Sequence, residues 1–201
     1  MDISNQPGPG LCKVTAYLEI KASISAAEMG AIPDIISAVT HEVHQYNLGN
    51  DKTDFIGVAF PEMSKKFSGV ITGNTITLIG SHKALNTLSG TETIVKLMRR
   101  RMTNRLDIQS VTMQPGEMGT AYIRDRRLDK FYGSKGNSNK IPNCTINDFI
   151  NLNYDDVKLY IRQEQGIYTG QPAIISSYGF STSSNPVFMP IARNDVLSSA
   201  A

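Results

Sequence analysis

The sequence predicts an α+β protein. A ferredoxin-like (βαββαβ) N-terminal domain is expected, followed by a β-rich C-terminal lobe. Three observations carry that expectation. Apolar residues alternate at Val14, Ala16, Leu18 and Ile20, then recur at helical spacing at Ile32, Ile35, Ile36, Val39 and Val43. The two patterns follow one another as strand, helix, strand, strand, helix, strand over roughly residues 13–113. Beyond Gly119 the helical spacing gives way to short apolar runs separated by turn residues.

Residues 1–12 contain two Pro and two Gly and read as a flexible arm. "KVTAYLEIK" is the first strand, and a helix is expected from Pro33 to Tyr46, with Pro33 tolerated in its first turn. "NLGND" ends that helix. "FIGVAF" (55–60), stopped by Pro61, and "NTITLIG" (74–80) read as strands. The stretch 81–106 is helical in pattern, with Ser81 as N-cap and Gly90 as a break, and "IQSVTM" (108–113) completes the set. These elements define a ferredoxin-like domain over 13–119. Residues 120–192 form the second lobe, in which "AYIRDRRLDK" reads as a binding loop or short helix. "FINLN", "VKLYIRQ", "PAIISSYGF" and "PVFMPI" read as its strands, and 193–201 as a tail.

Composition narrows the function classes. Charged residues make up 19% and hydrophobic residues 40%, the balance of a globular protein rather than a disordered one. No apolar run is long enough to span a bilayer, and "MDISNQPGPG" lacks the features of a signal peptide. With Cys12 and Cys144 alone, a disulfide framework is excluded and a reducing, cytoplasmic setting is expected. No zinc-ligand spacing occurs, and no cofactor or metal is expected.

The net charge of +2 hides a strong asymmetry. Between Lys96 and Lys140 lie eleven cations and only four anions, which leaves the rest of the chain at −5. The cations are Lys96, Arg99, Arg100, Arg101, Arg105, Arg124, Arg126, Arg127, Lys130, Lys135 and Lys140. A basic block on an otherwise acidic chain is the footprint of a polyanion partner. Its arginine content favours nucleic acid, because guanidinium pairs bidentately with phosphate and base edges. A solvated charged helix face is the competing reading.

Two of the three histidines lie three positions apart on the first helix, at His41 and His44. At 100° per residue, His41 points about 180° from Ile32, into solvent, and His44 about 120°, at the border of the core. Imidazole is the side chain best suited to proton transfer near neutral pH. No Glu, Asp or Cys completes an H-x-x-H metal half-site around the pair. The helical phase thus favours His44, with a merely structural histidine as the alternative.

"AYLEIK", "HQYNLGNDKTDFIGVAFPEM" and "IISSYGFS" together resemble the CRISPR repeat endoribonuclease family of the type I-F branch. The resemblance covers most of residues 14–190 in order. Its most telling piece is His44-Gln45 followed by Gly57-Val58-Ala59-Phe60-Pro61. It implies a ferredoxin-like domain, cleavage of repeat RNA beside a hairpin, and retention of the product. The family's catalytic histidine falls on His44. Its Tyr-Gly-aliphatic-Ser pattern falls on Tyr178, Gly179, Phe180 and Ser181, with Phe180 in the aliphatic place. Tyr178 is thereby implied to orient His44 or the scissile nucleotide; a half-buried strand tyrosine is the alternative.

The sequence departs from the family at two places. Between "FINL" and "LYIR" the family carries a catalytic serine, whereas this loop reads Asn153, Tyr154, Asp155, Asp156, Val157, Lys158. Tyr154 or Asn153 takes that role, or the role is absent. Residues 130–142 are also too short and too rich in Gly, Ser and Asn for the family's arginine-rich helix. Arg99, Arg100, Arg101 and Arg105 then supply part of that charge, and Arg126 and Arg127 fall near where the family reads the foot of the stem. Arg124, Lys130, Lys135 and Lys140 complete the expected RNA contacts.

The resemblance implies metal-independent transesterification and retention of the mature guide RNA as a subunit of the type I-F surveillance complex. The partners expected are the repeat hairpin, the guide RNA and the other subunits, with no membrane. A non-catalytic hairpin-capping subunit is the second reading, and a ferredoxin-like domain without RNA the third.

Overall fold

A computed structural model describes residues 8–50, 52–66, 69–104, 106–126, 128, 150–154 and 157–191. Its elements in order are β1 (Gly10–Cys12), β2 (Ala16–Lys21), α1 (Ile24–Glu28), α2 (Ile32–Gly49), β3 (Gly57–Ala59), β4 (Ser64–Lys66), β5 (Gly69–Ile71) and β6 (Thr75–Gly80). Then come α3 (His82–Ser89), α4 (Glu92–Arg99), β7 (Ile108–Ser110), β8 (Met118–Arg124), β9 (Ile150–Tyr154), β10 (Val157–Ile167), β11 (Ala173–Ile175) and β12 (Ser181–Thr182).

The first sheet has the order β3-β6-β2-β7, with every neighbouring pair antiparallel. That order and its crossing helices agree with a ferredoxin-like α+β fold. Alternation in β2 sends Ala16, Leu18 and Ile20 to one face, opposite Gly80, Leu78 and Ile76 of β6. Helix α2 presents Ile35, Ile36, Val39 and Val43 to the core, and α3 presents Ala84, Leu85 and Leu88. Ser81 caps α3 by accepting from Ala84 N at 3.0 Å, and Gly90 separates α3 from α4, as the sequence predicts.

The second sheet has the order β12-β8-β10-β9. Its centre is the antiparallel ladder from Ile161↔Arg124 to Ile167↔Met118. One hydrophobic core runs through both sheets, joining Leu18, Val43 and Phe60 to Tyr122, Ile161, Phe180 and Met189. Among the described residues no helix is long and apolar enough to cross a membrane.

Several elements differ from expectation. Residues 10–12, expected in the arm, pair with Ala173–Ile175. Residues 118–124, read in part as a loop or short helix, form β8; the expected boundary after Gly119 falls inside it. Residues 119–124 are all buried, so no polar alternation marks this strand. "PVFMPI" is not a strand: a single bridge ties Met189 to Thr120. β7 stops at Ser110, and α2 runs three residues past Tyr46. The short helix α1 and the β4–β5 hairpin have weak patterns and were not expected.

Candidate active site

Helix α2 delivers His44 to the seam between the sheets. Its imidazole is 8% exposed, while His41, three residues earlier, is only partly covered. Both histidines make contacts. The chain returns to this seam through a tight turn at 176–179, closed by Gly179 N donating to Ser176 O at 2.9 Å. Tyr178 stands in that turn, 5% exposed.

The two rings stack, with centroids 3.9 Å apart and planes within 9°. The Arg124 guanidinium lies over the Tyr178 ring, its Cζ 4.4 Å from the centroid. Tyr178 thus contacts both the imidazole and the guanidinium through its ring. A planar cation over a phenol ring gains about 0.5–2 kcal/mol as desolvation increases. Arg124 is itself buried, at 8% exposure, and is fixed by its place at the end of β8 opposite Ile161.

Gly179 is what lets the turn come so close. Its φ is +83°, and Val58 N donates to its carbonyl at 2.9 Å. A Cβ at this position would lie 2.7 Å from Val58 Cγ2 and 3.0 Å from Ile56 O. The turn therefore lies along the outer edge of β3, which is why "GVAFP" and "YGFS" belong to one site.

The expected site residues divide into three groups. His44, Tyr178 and Arg124 come together. Arg99, Arg100 and Arg101 are exposed at the end of α4, where Asn104 N donates to Lys21 O at the far end of β2. Asn47, one helical turn beyond His44, bonds Ile56 toward the opposite end of that sheet, so the arginines and His44 lie toward different ends. Arg101 adopts φ +56°, the left-handed conformation usually given to glycine after a helix. Tyr154 closes β9 opposite Val157, four residues along from the row that joins Ile150, Ile161 and Arg124. That offset is about 13 Å along the strand. Arg126 is exposed just after β8. Arg105, Arg127, Lys130, Lys135, Lys140, Asp155 and Asp156 lie outside the described residues.

Tyr17, Glu19 and Thr77 floor a cleft of about 370 Å³ whose rim includes Glu117, and its carboxylates repel phosphate. Cys12 is wholly buried with its Sγ on Ile79 O, and burial pushes the thiol up to about 12, so it is no nucleophile. Among the described residues no group of three or more His, Cys, Asp and Glu is placed to hold a metal ion.

An α+β fold that stacks a buried imidazole against a tyrosine–arginine pair, in a chain with a concentrated basic block, belongs to the class built to act on polyanions. The family model described as CRISPR-associated protein (Cas_Csy4) matches residues 17–141, more than half of the chain. The chain belongs to this family of Csy4-type CRISPR-associated repeat-RNA endoribonucleases. His44 and Arg124 lie within the match, and Tyr178 lies beyond it. No curated protein matches the chain.

Proposed function

We propose that this protein cuts CRISPR precursor RNA beside the repeat hairpin by metal-independent transesterification, with His44 moving the proton. The observation that carries this reading is the stack of His44 on Tyr178, a ring that also carries the Arg124 guanidinium and that holds one imidazole in a fixed orientation. The 2′-OH upstream of the scissile phosphate attacks phosphorus in line and loses its proton. The P–O5′ bond breaks, the 5′-oxygen takes up a proton, and a 2′,3′-cyclic phosphate remains. An imidazole with an ordinary value near 6.5 serves such proton transfers, which are worth about 10²–10⁴ in rate. In-line positioning of the bound RNA supplies much of the remainder.

In this reading the lobe from 120 to 192 recognises the hairpin, and Arg99, Arg100, Arg101 and Arg126 contact phosphate. The protein keeps its product and acts in the cytoplasm as a subunit of the type I-F surveillance complex. A hairpin-capping subunit without cleavage is the second reading, favoured by the lack of Ser or Thr between "FINL" and "LYIR".

The test is cleavage of the cognate repeat RNA in EDTA. One cut per molecule is expected, lost in His44→Ala with binding near wild type, and retained in His41→Ala. Cleavage that stops in EDTA, or continues in His44→Ala, overturns the mechanism. Tight binding without any cut selects the capping subunit.

A further inference from the structure

Resting on that reading of His44, we propose that Asn47 is the positioning residue that sets the His44–Tyr178 stack. Asn47 lies one helical turn beyond His44, on the same side of α2, and is 1% exposed. Its Nδ2 donates to Ile56 O and to Ser177 O, both at 3.0 Å. Its Oδ1 accepts from Ile56 N at 2.8 Å. Both amide donors and the acceptor oxygen are therefore engaged with backbone.

The pattern has a specific consequence for Tyr178. By exchanging both N–H···O bonds with Ile56, the amide does what a neighbouring strand would do, and locks α2 to the start of β3. Its second donor holds Ser177, the residue before Tyr178. Val58 N holds Gly179, the residue after it. Tyr178 is thus pinned on both flanks, to Asn47 and to Val58, while the side chain that pins the first flank also fixes the turn of helix bearing His44. One amide sets the separation of two rings that come from distant parts of the chain.

No other small change of side chain reproduces this. Aspartate places a carboxylate oxygen against two carbonyl oxygens. Serine keeps one donor of the two. Leucine leaves three buried backbone groups unpaired.

The experiment measures single-turnover cleavage of repeat RNA at saturating protein, hairpin affinity, and the carbon-bound imidazole proton resonances of His44. In the wild type the Tyr178 ring shifts those resonances upfield. In folded Asn47→Asp the resonances are expected to move back downfield, with hairpin affinity unchanged. The cleavage rate is expected to fall about 10²-fold, the usual consequence of an ångström-scale misplacement. Wild-type cleavage with unmoved resonances in that variant overturns the proposal. Should Asn47→Asp not fold, Asn47→Ser is read the same way. Exchange of the Asn47 side-chain amide protons supplies a readout without substitution. Exchange as slow as that of core backbone amides is expected, and exchange at the rate of an exposed amide overturns the lock. Cleavage by His44→Ala overturns the parent reading. Loss of cleavage in His44→Ala together with full cleavage in folded Asn47→Asp overturns this proposal alone.

Discussion

His44 of α2 and Tyr178 of the 176–179 turn are stacked face to face, with ring centroids 3.9 Å apart and planes within 9°. Tyr178→Phe should therefore keep the stack, and with it a faster cleavage than a residue without a ring. Tyr178→Leu should lose both, with cleavage slowed about 10²-fold by misplacement of the imidazole. Single-turnover cleavage in EDTA measures the difference.

Arg124 lies over the same ring, so its planarity matters as well as its charge. Arg124→Lys is expected to lower the melting temperature and slow cleavage, since a point-like ammonium does not stack. The loss should amount to about 1 kcal/mol. Thermal melts of Arg124→Lys and Arg124→Ala should rank wild type, Lys, Ala.

At Gly179 a side chain meets both a left-handed backbone and the edge of β3. Gly179→Ala should destabilise the fold by more than about 1 kcal/mol and displace Tyr178 from the imidazole. Urea unfolding reads the first effect and cleavage the second. An equally stable, equally active Gly179→Ala would mean that the turn tolerates a shift.

The buried thiol of Cys12 gives a prediction in pH. Burial raises its titration from the ordinary 9.0 to about 12, so the folded protein keeps its proton where the unfolded chain loses it. Its contribution to stability is fully present below pH 9 and is lost as pH rises from 9 toward 12. Burial shifts Tyr46 and Tyr168 upward too, and adds to the same alkaline loss. In a Cys144→Ser background, alkylation at pH 8 should be negligible until the protein is unfolded. Denaturation midpoints at pH 8 and 10.5 read the stability arm.

The arginines that end α4 and His44 lie toward different ends of the first sheet, and the arginines should act on binding alone. Replacing Arg99, Arg100 and Arg101 together by Ala should weaken hairpin binding and flatten its salt dependence by about two to three in log–log slope. The cleavage rate of saturated complex should stay unchanged. Arg101→Gly, which relieves the left-handed backbone, should raise stability by a few tenths to about 1 kcal/mol while still weakening binding.

That His44 is the more deeply buried of the two α2 histidines was legible in the sequence because helical phase is local. Val39 and Val43 fix the buried side of α2, and His44 lies at its border. The order of elements was legible for the same reason, down to the Ser81 cap and the Gly90 break. β8 was not, because Ala121, Tyr122, Ile123 and Arg124 are covered on both faces and leave no period of two. Nor was the meeting of Arg124 with Tyr178, which depends on β8, β12 and the edge of β3 lying side by side. The role of Asn47 was hidden most completely. A polar residue near a helix end ordinarily faces water, whereas Asn47 is met by Ile56 and by the carbonyl of the returning turn at Ser177.

The strand Gly10–Cys12 pairs with Ala173–Ile175, just before the turn that bears Tyr178. The beginning of the chain is therefore completed by nearly its last described strand. During synthesis, His44 emerges early but has no ring to stack on, and α2 has no turn to hold, until residues 173–180 have left the ribosome. A chain arrested before that point has its histidine without its active site. On the proposed reading, cleavage waits until the turn that bears Tyr178 has been made.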